Sequence, residues 1–229
     1  MCIEASDAIG WDVANWSAAL AFWRREANLE GGPLDALEIG ANQGGLSVWL
    51  AAAGHRVVCS DLHDTRRHAA PLARRFDLED RICFEDIDAT AIPYERAFDV
   101  IVFKSVLGGV GRDGAIDRQH AAIDSMHRAL RPGGRLLFAE NLTGSALHRW
   151  LRTRFVTWGE SWRYVTIGEM AAFLRPFETV RYDTGGFFGA LGRSETQRRM
   201  LSYLDRLGGN ALAPPSWRYI IYGVATKAR

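Results

Sequence analysis

Residues 37–54 read LEIGANQGGLSVWLAAAG, a short apolar run that enters a glycine-rich turn and leaves it as a helix. Ala36, Leu37 and Ile39 have strand character, and Gly40, Gly44 and Gly45 remove side chains where the backbone turns tightly and where a ligand would meet bare amides. From Leu46 the apolar positions Leu46, Trp49, Leu50 and Ala53 recur at helical spacing, and Gly54 supplies the stop. Such a turn sits at a helix N-terminus, where free N–H groups and the helix dipole favour an anionic group. The dinucleotide pattern G-x-G-x-x-G needs glycine where Asn42 stands, so the turn alone fits a nucleotide site and a structural strand-to-helix turn alike. The decision falls to its surroundings.

Downstream, HRVVCS (55–60) is a second strand followed at once by Asp61, 21 residues after Gly40. That is close to the separation at which an acidic side chain holds a ribose hydroxyl, although Asp61 equally suits a cap for the next helix. Thr65 to Phe76 is a basic helical segment with Arg66, Arg67, Arg74 and Arg75 outward. Arg81 to Phe84 gives a third strand, EDIDATAIPYE follows, and FDVIVF (98–103) is a fourth strand, apolar enough to be buried on both faces. Gly114 to Leu130 reads as a helix stopped by Pro132, Gly133 and Gly134, which turn the chain into a fifth strand, Arg135 to Ala139. This alternation predicts a mainly parallel sheet covered on both faces, with ligands beyond the carboxyl ends of its strands, where Asp61, Asp88, Lys104, Ser105 and Glu140 all fall.

Upstream, DVANWSAALAFWRREA (12–27) suits an amphipathic helix with Val13, Trp16, Leu20 and Trp23 near one stripe, read as core packing in preference to a lid. Beyond Asn141, Ser145 to Val156 and Thr166 to Leu174 look helical, and Glu178 to Asp183 and Arg218 to Thr226 look like strands. Between the two strands, GGFFGALG and the helix-like SETQRRMLSYLDRL form an insertion closed by GGN and Pro214–Pro215.

The chain has 229 residues, fitting one domain, with a formal charge of +1 that leaves no electrostatic footprint for nucleic acid. No apolar run approaches the ~20 residues of a membrane span, and MCIEASDAIG lacks the features of a targeting segment, so a cytoplasmic protein without membrane insertion is expected. Cys2, Cys59 and Cys83 are too few and scattered for a disulfide framework or metal site, and Cys59 and Cys83 are expected to be buried thiols.

Together the segments LEIGANQGG, VVCSDL, EDIDATAIPYE, FDVIVFKSVLGGV and RALRPGGRLLFAEN, spanning residues 34 to 142, resemble the class I S-adenosylmethionine-dependent methyltransferases. The resemblance implies a Rossmann-like, doubly wound α/β fold with a seven-stranded sheet, mainly parallel with its last strand antiparallel. One domain over 1–229 would carry an N-terminal helical cap in 1–30 and substrate-side insertions in 143–216. It also implies S-adenosyl-L-methionine as cofactor, with Glu38, Gly40, Asn42 and Gly44 shaping the methionine pocket. Asp61, with Leu62 beside it, would hold the ribose. Asp88 would bond the adenine amino group beside Ala89, and Lys104 and Ser105 would face the cofactor's amino acid. Asn42 departs from the family's usual glycine, but asparagine tolerates left-handed backbone angles. The phrases FKSVLGGVGR, FAENLTGSALHRWLRTRF and SWRYIIYGVATK further resemble methyltransferases found with bacterial surface-polysaccharide or secondary-metabolite enzymes.

Methyl transfer needs alignment in a dry pocket rather than a metal, and Asp86 and Asp88, two apart, make no convincing metal site. For a hydroxyl acceptor a base assists, and His148, Glu140 and Lys104 are the candidates; Lys104 would need a depressed pKa for that role and otherwise suits an acidic substrate group. His120 and His127 read as solvated or packing residues. After the fourth strand the chain has KSVL, where relatives that methylate nucleobase amino groups carry an N-P-P-Y-like sequence, which argues for a small-molecule or glycan acceptor and O-methylation. The alternatives are a non-catalytic cofactor-binding module and a nicotinamide-dependent dehydrogenase. The oligomeric state is open.

Overall fold

The apolar runs of the sequence pair side by side into a seven-stranded sheet of order β3-β2-β1-β4-β5-β7-β6. Its strands are β1 (Asp35–Ile39), β2 (Arg56–Asp61), β3 (Ile82–Asp86), β4 (Phe98–Lys104), β5 (Leu130–Asn141), β6 (Thr179–Gly185) and β7 (Ile220–Thr226). The first five pair in parallel, and β7 lies antiparallel between β5 and β6. The computed structural model describes residues 3–155, 161–192, 194–205, 207 and 212–229; Cys2, Val156 and the GGN at 208–210 lie outside them.

Burial follows the patterning. Val100, Ile101, Val102 and Phe103 in central β4 are inaccessible to solvent, as a strand covered on both faces requires. On one face lie α1 (Ala5–Ile9), α2 (Val13–Glu26), α3 (Gly45–Ala52) and α4 (Thr65–Arg75). On the other lie α6 (Ile116–Ala129) and α8 (Ile167–Phe173), preceded along the chain by the short α5 (Leu107–Val110) and by α7 (Ala146–Phe155). The helix α9 (Glu195–Leu204) belongs to the insertion between β6 and β7. Trp16 and Trp23 on α2 are fully buried, and Trp23 donates its indole N–H to the Gly223 carbonyl at 3.0 Å, so the aromatic stripe is core packing against β7.

The structure departs from the sequence reading in three places. Cys83 is exposed, because β3 is the sheet's edge and its outward side chains face solvent; Cys59, one strand further in, is buried. The run RPGG is part of β5 rather than a turn before it: α6 ends at Ala129, and Gly133, at φ +74°, donates its N–H to the Lys227 and Ala228 carbonyls at 3.2 and 3.1 Å. The five-residue α1 precedes the foreseen helix and packs on α3; a Cβ on Gly45 would come within 2.5 Å of the Ala8 carbonyl oxygen. His120 and His127 stand edge-on against Phe173 and Phe177, at 4.4 and 4.9 Å between ring centroids.

Candidate active site

The chain leaves β1 for β2 on one side and returns through β4 on the other, so the carboxyl ends of β1 and β4 bound the crevice where an open parallel sheet takes its ligands. The glycine turn fills the mouth of that crevice. Gly40, Asn42 and Gly44 all adopt left-handed backbone angles, at φ +67°, +49° and +75°. A Cβ on Gly40 would lie 2.4 Å from Val106 Cγ2, and one on Gly44 would lie 2.8 Å from the Ala69 Cβ, so both glycines permit close approach as well as the turn. Asn42 is held there by donating its N–H to Asp61 Oδ2 at 2.7 Å, while Asp61 Oδ1 accepts from Leu62 N–H at 2.7 Å. The first turn of α4 is instead served by Asp86, which accepts from Thr65 N–H at 2.9 Å, so Asp61 braces the glycine turn and leaves helix capping to its neighbour strand.

Opposite the turn, Ser105 is a second non-glycine residue with left-handed geometry, at φ +58°. Backbone strain of this kind concentrates where structure serves a site. Between the two strained loops lies a cavity of about 630 Å³. Its wall includes Glu38, Gly40, Asn42, Lys104 and Ser105, all singled out in the sequence. Gly44, Asp61, Leu62, Asp88, Ala89, Glu140 and His148 are not in that wall. Leu62 is half exposed beside Asp61, and Ala89 is buried next to Asp88, whose carboxylate accepts from Thr90 N–H and hydroxyl, both at 2.8 Å. Those backbone and hydroxyl donors hold Asp88 below the ordinary carboxylate range despite partial burial.

The acidic groups around the cavity are engaged within the fold. Glu38 accepts from Ser47 N–H at 2.7 Å and Ser47 hydroxyl at 2.5 Å, closing the first turn of α3. Glu140 does the same for α5, accepting from Val106 and Leu107 N–H at 2.8 and 2.7 Å and from Asn141 N–H at 2.7 Å. Burial pushes both carboxyls up to about 7 while these donors pull the other way. His148 is buried, its Nδ1 accepting from Ser145 N–H at 3.1 Å and its Nε2 lying 2.8 Å from the Phe187 carbonyl oxygen, an arrangement that suits the tautomer with a proton on Nε2.

Lys104 differs from all of these. Its Nζ stands 4.4 Å from the Trp11 ring centroid and 4.8 Å from that of Trp16, and it forms no ion pair among the described residues. Burial lowers its pKa to about 8, against the pull of the more distant Asp12, Glu140, Glu38 and Glu195 carboxylates. It is the one sequence-singled base candidate that also lines the cavity.

Trp11, Arg112 and Trp162 also line the cavity and were not singled out from the sequence. Trp11 and Trp162 fall in the segments 1–30 and 143–216, the least family-like of the chain, and the only available signal was an aromatic residue beside a glycine or arginine. Trp162 reaches the site because Gly108 and Gly109 offer it a bare surface; a Cβ on Gly108 would meet its indole at 1.8 Å.

Residues 37–138 match the family described as "Methyltransferase domain". No curated protein sequence matches the chain. Among solved structures, phosphoethanolamine N-methyltransferase 2 of Haemonchus contortus, in complex with phosphomonomethylethanolamine and S-adenosylhomocysteine, is 16% identical with a TM-score of 0.64, covering 93% of this chain; the chain spans about half, 53%, of that enzyme. The [4+2]-cyclase SpnF is 18% identical, TM-score 0.67, with 93% of this chain and 80% of that one covered. The 1,6-didemethyltoxoflavin-N1-methyltransferase of Burkholderia thailandensis, with its substrate and S-adenosylhomocysteine, is 19% identical, TM-score 0.59, covering 93% and 77%. Likeness at these identities establishes the fold, and the presence of a cyclase among the neighbours shows that the fold alone does not name the reaction.

Proposed function

Taking as premise that residues 37–138 carry the methyltransferase-domain pattern within the class I methyltransferase fold, we propose that the protein methylates a hydroxyl group of a small-molecule or glycan acceptor with S-adenosyl-L-methionine. The observation that carries the O-methylation reading is Lys104: an amine in the cavity wall, with indole rings for neighbours, no paired carboxylate among the described residues and a pKa near 8.

The residues fit the cofactor. The turn from Gly40 to Gln43 lines the cavity, with Glu38 fixing the helix start behind it. Asp61 stands at the end of β2 for the ribose hydroxyls, and Asp88 with Ala89 follows β3 for the adenine. Bound there, the cofactor would supply a sulfonium-activated methyl group. Lys104 in its neutral form accepts the proton of the acceptor hydroxyl at Nζ, so the positive charge lost at sulfur is regained on nitrogen within the same pocket. Before Lys104 gives up its proton, a protonated amine acceptor would meet it as a like charge, which favours a hydroxyl acceptor. Trp11 and Trp162 supply flat apolar faces suited to a ring-shaped acceptor such as a sugar. Asn42, the sole sequence ground for a non-catalytic module, takes the left-handed conformation the turn requires.

The test is calorimetric titration with S-adenosyl-L-methionine and its demethylated product, followed by an acceptor screen that begins with nucleotide sugars. Binding of both cofactor forms and transfer to an oxygen support the proposal. Cofactor binding with transfer to nitrogen, or with none across the panel, overturns it.

A further inference from the structure

In α9 the usual order of an amphipathic helix is inverted. Met200, Tyr203, Leu204 and, just beyond the helix, Leu207 follow the i, i+3, i+4, i+7 spacing that ordinarily faces a core, yet they are 69%, 62%, 47% and 67% exposed. The buried side is polar: Asp205, inaccessible to solvent, accepts the N–H groups of Phe187, Phe188 and Gly189 at 2.9, 2.9 and 3.0 Å. The helix α7 repeats the arrangement. Leu147 and Trp150, one turn apart, are exposed, while His148 is buried edge-on against Phe187 at 5.0 Å. Both helices are thus anchored on the turn at Phe187–Gly189, with Leu147 and Trp150 of one and Met200, Tyr203 and Leu204 of the other exposed.

The charge carried by these two stretches of sequence is predominantly positive. Residues 146–155 and 194–207 contain six arginines, at 149, 152, 154, 198, 199 and 206, in a chain whose net charge is only +1. Of their two acidic residues, Asp205 is buried as described, while Glu195 stays half exposed, its carboxylate accepting Asp12 and Val13 N–H at 3.0 and 2.8 Å and pairing with Arg198 at 3.8 Å. Arg149, Arg154 and Arg199 are exposed.

We propose that α7 and α9 form a docking face for an anionic lipid bilayer, lying in the interface with the apolar stripe inserted and the arginines against lipid headgroups. A second copy of the chain is the less suitable occupant, since a two-fold pairing of stripe on stripe would oppose arginines to arginines. The proposal is independent of the cavity and its chemistry.

Flotation with phosphatidylcholine vesicles, with and without phosphatidylglycerol, tests it. Binding to the phosphatidylglycerol vesicles is expected to be at least tenfold tighter and to weaken about tenfold as salt rises from ~0.1 to ~0.5 M, where charges are screened within a few ångströms. Tyr203→Glu with Leu207→Glu should abolish it with an unchanged thermal melt, and Arg149→Ala with Arg199→Ala, which leaves the stripe intact, should weaken it at least threefold. Arg66→Glu with Arg67→Glu, on the exposed side of α4, should have little effect. Equal binding to both vesicle types, no binding to either, full binding by the first two variants, or a dimer that those variants disperse would overturn the proposal.

Discussion

Lys104 occupies a position where two indole rings replace the carboxylate that a buried ammonium ordinarily has. Its charged form is disfavoured, and the stability consequence has a definite sign. An unfolded lysine holds its proton up to its ordinary 10.5 while the folded one releases it near 8, so between those values the unfolded state binds more protons and folding stability rises with pH. The contribution reaches roughly 3 kcal/mol above that window and is lost as pH falls through 8. Lys104→Met should therefore be more stable than the parent at neutral pH by at least about 1 kcal/mol, with the rise between pH 8 and 10.5 flattened, as denaturant titrations across that range would report. Its turnover should fall at least about a hundredfold with cofactor affinity retained, and the parent's kcat should climb with pH, half-maximal near 8 and level above it. A variant with unaltered pH-rate profile removes Lys104 from the chemistry. Glu140 leads to the opposite expectation: Glu140→Leu strands the Val106, Leu107 and Asn141 N–H groups and should destabilise the fold by about 3 kcal/mol in a thermal melt, whereas Glu140→Gln, which keeps an acceptor, should lose under half of that. In the sequence, a glutamate after a strand is the same letter whether it caps a helix or moves a proton. Lys104, Glu140 and His148 could be placed at one edge from their order, but the last two are also engaged by hydrogen bonds with segments 33 to 39 residues away.

Among elements, the glycine turn shows how much a local pattern conveys. Strand, turn and helix over 37–54 follow from apolar spacing and glycines, and the structure has them within a residue or so. Gly45 was legible as a turn residue; its other purpose, letting the α1 carbonyls of Asp7 and Ala8 approach, was not, because a five-residue helix has too short a pattern to be read before its partner is known. Edge strands were harder for a related reason. The apolar letters of β3 are those of a buried strand, and only the sheet order leaves Cys83 outside. The contact between α1 and α3 gives a prediction at this scale. Gly45→Ala cannot be accommodated by a flexible side chain, since the atoms in its way are backbone carbonyls, so α1 must move. The expected overpacking cost is about 1–3 kcal/mol in a thermal melt. Since Asp7, Ala8, Ile9 and Gly10 line the cavity, cofactor affinity should fall at least about fivefold by calorimetry while the circular dichroism of the sheet is preserved. Unchanged affinity would separate α1 from the binding site.

For the whole molecule, the repeating strand–helix unit conveyed the parallel pairing of the first five strands and the family resemblance supplied an antiparallel last strand, whereas the strand order, with β7 between β5 and β6, is legible only in the structure. What the sequence did not convey is how the N-terminal cap and the late insertion meet. Glu195 on α9 accepts the first N–H groups of α2, 183 and 182 residues away, and Tyr219 before β7 donates to Asp12 at the same point. Pairings at that separation have no local pattern to reveal them. They tie the segment after Trp11, in the cavity wall, to the far end of the chain, so a ligand that orders the cavity should stabilise the molecule as a unit. At a hundredfold excess over its Kd, a ligand that binds only the folded state adds about 2.7 kcal/mol, which for a chain of this size is a rise in Tm of roughly 5 to 10 °C. S-adenosyl-L-methionine and its demethylated product should both give that rise in one cooperative transition, and a nicotinamide dinucleotide should give none. A shift with the nicotinamide cofactor alone would restore the dehydrogenase reading of the glycine turn. Two separate transitions, with only one of them moved by the ligand, would mean that the cap and insertion unfold apart from the sheet and that the Glu195 and Tyr219 contacts do not couple them.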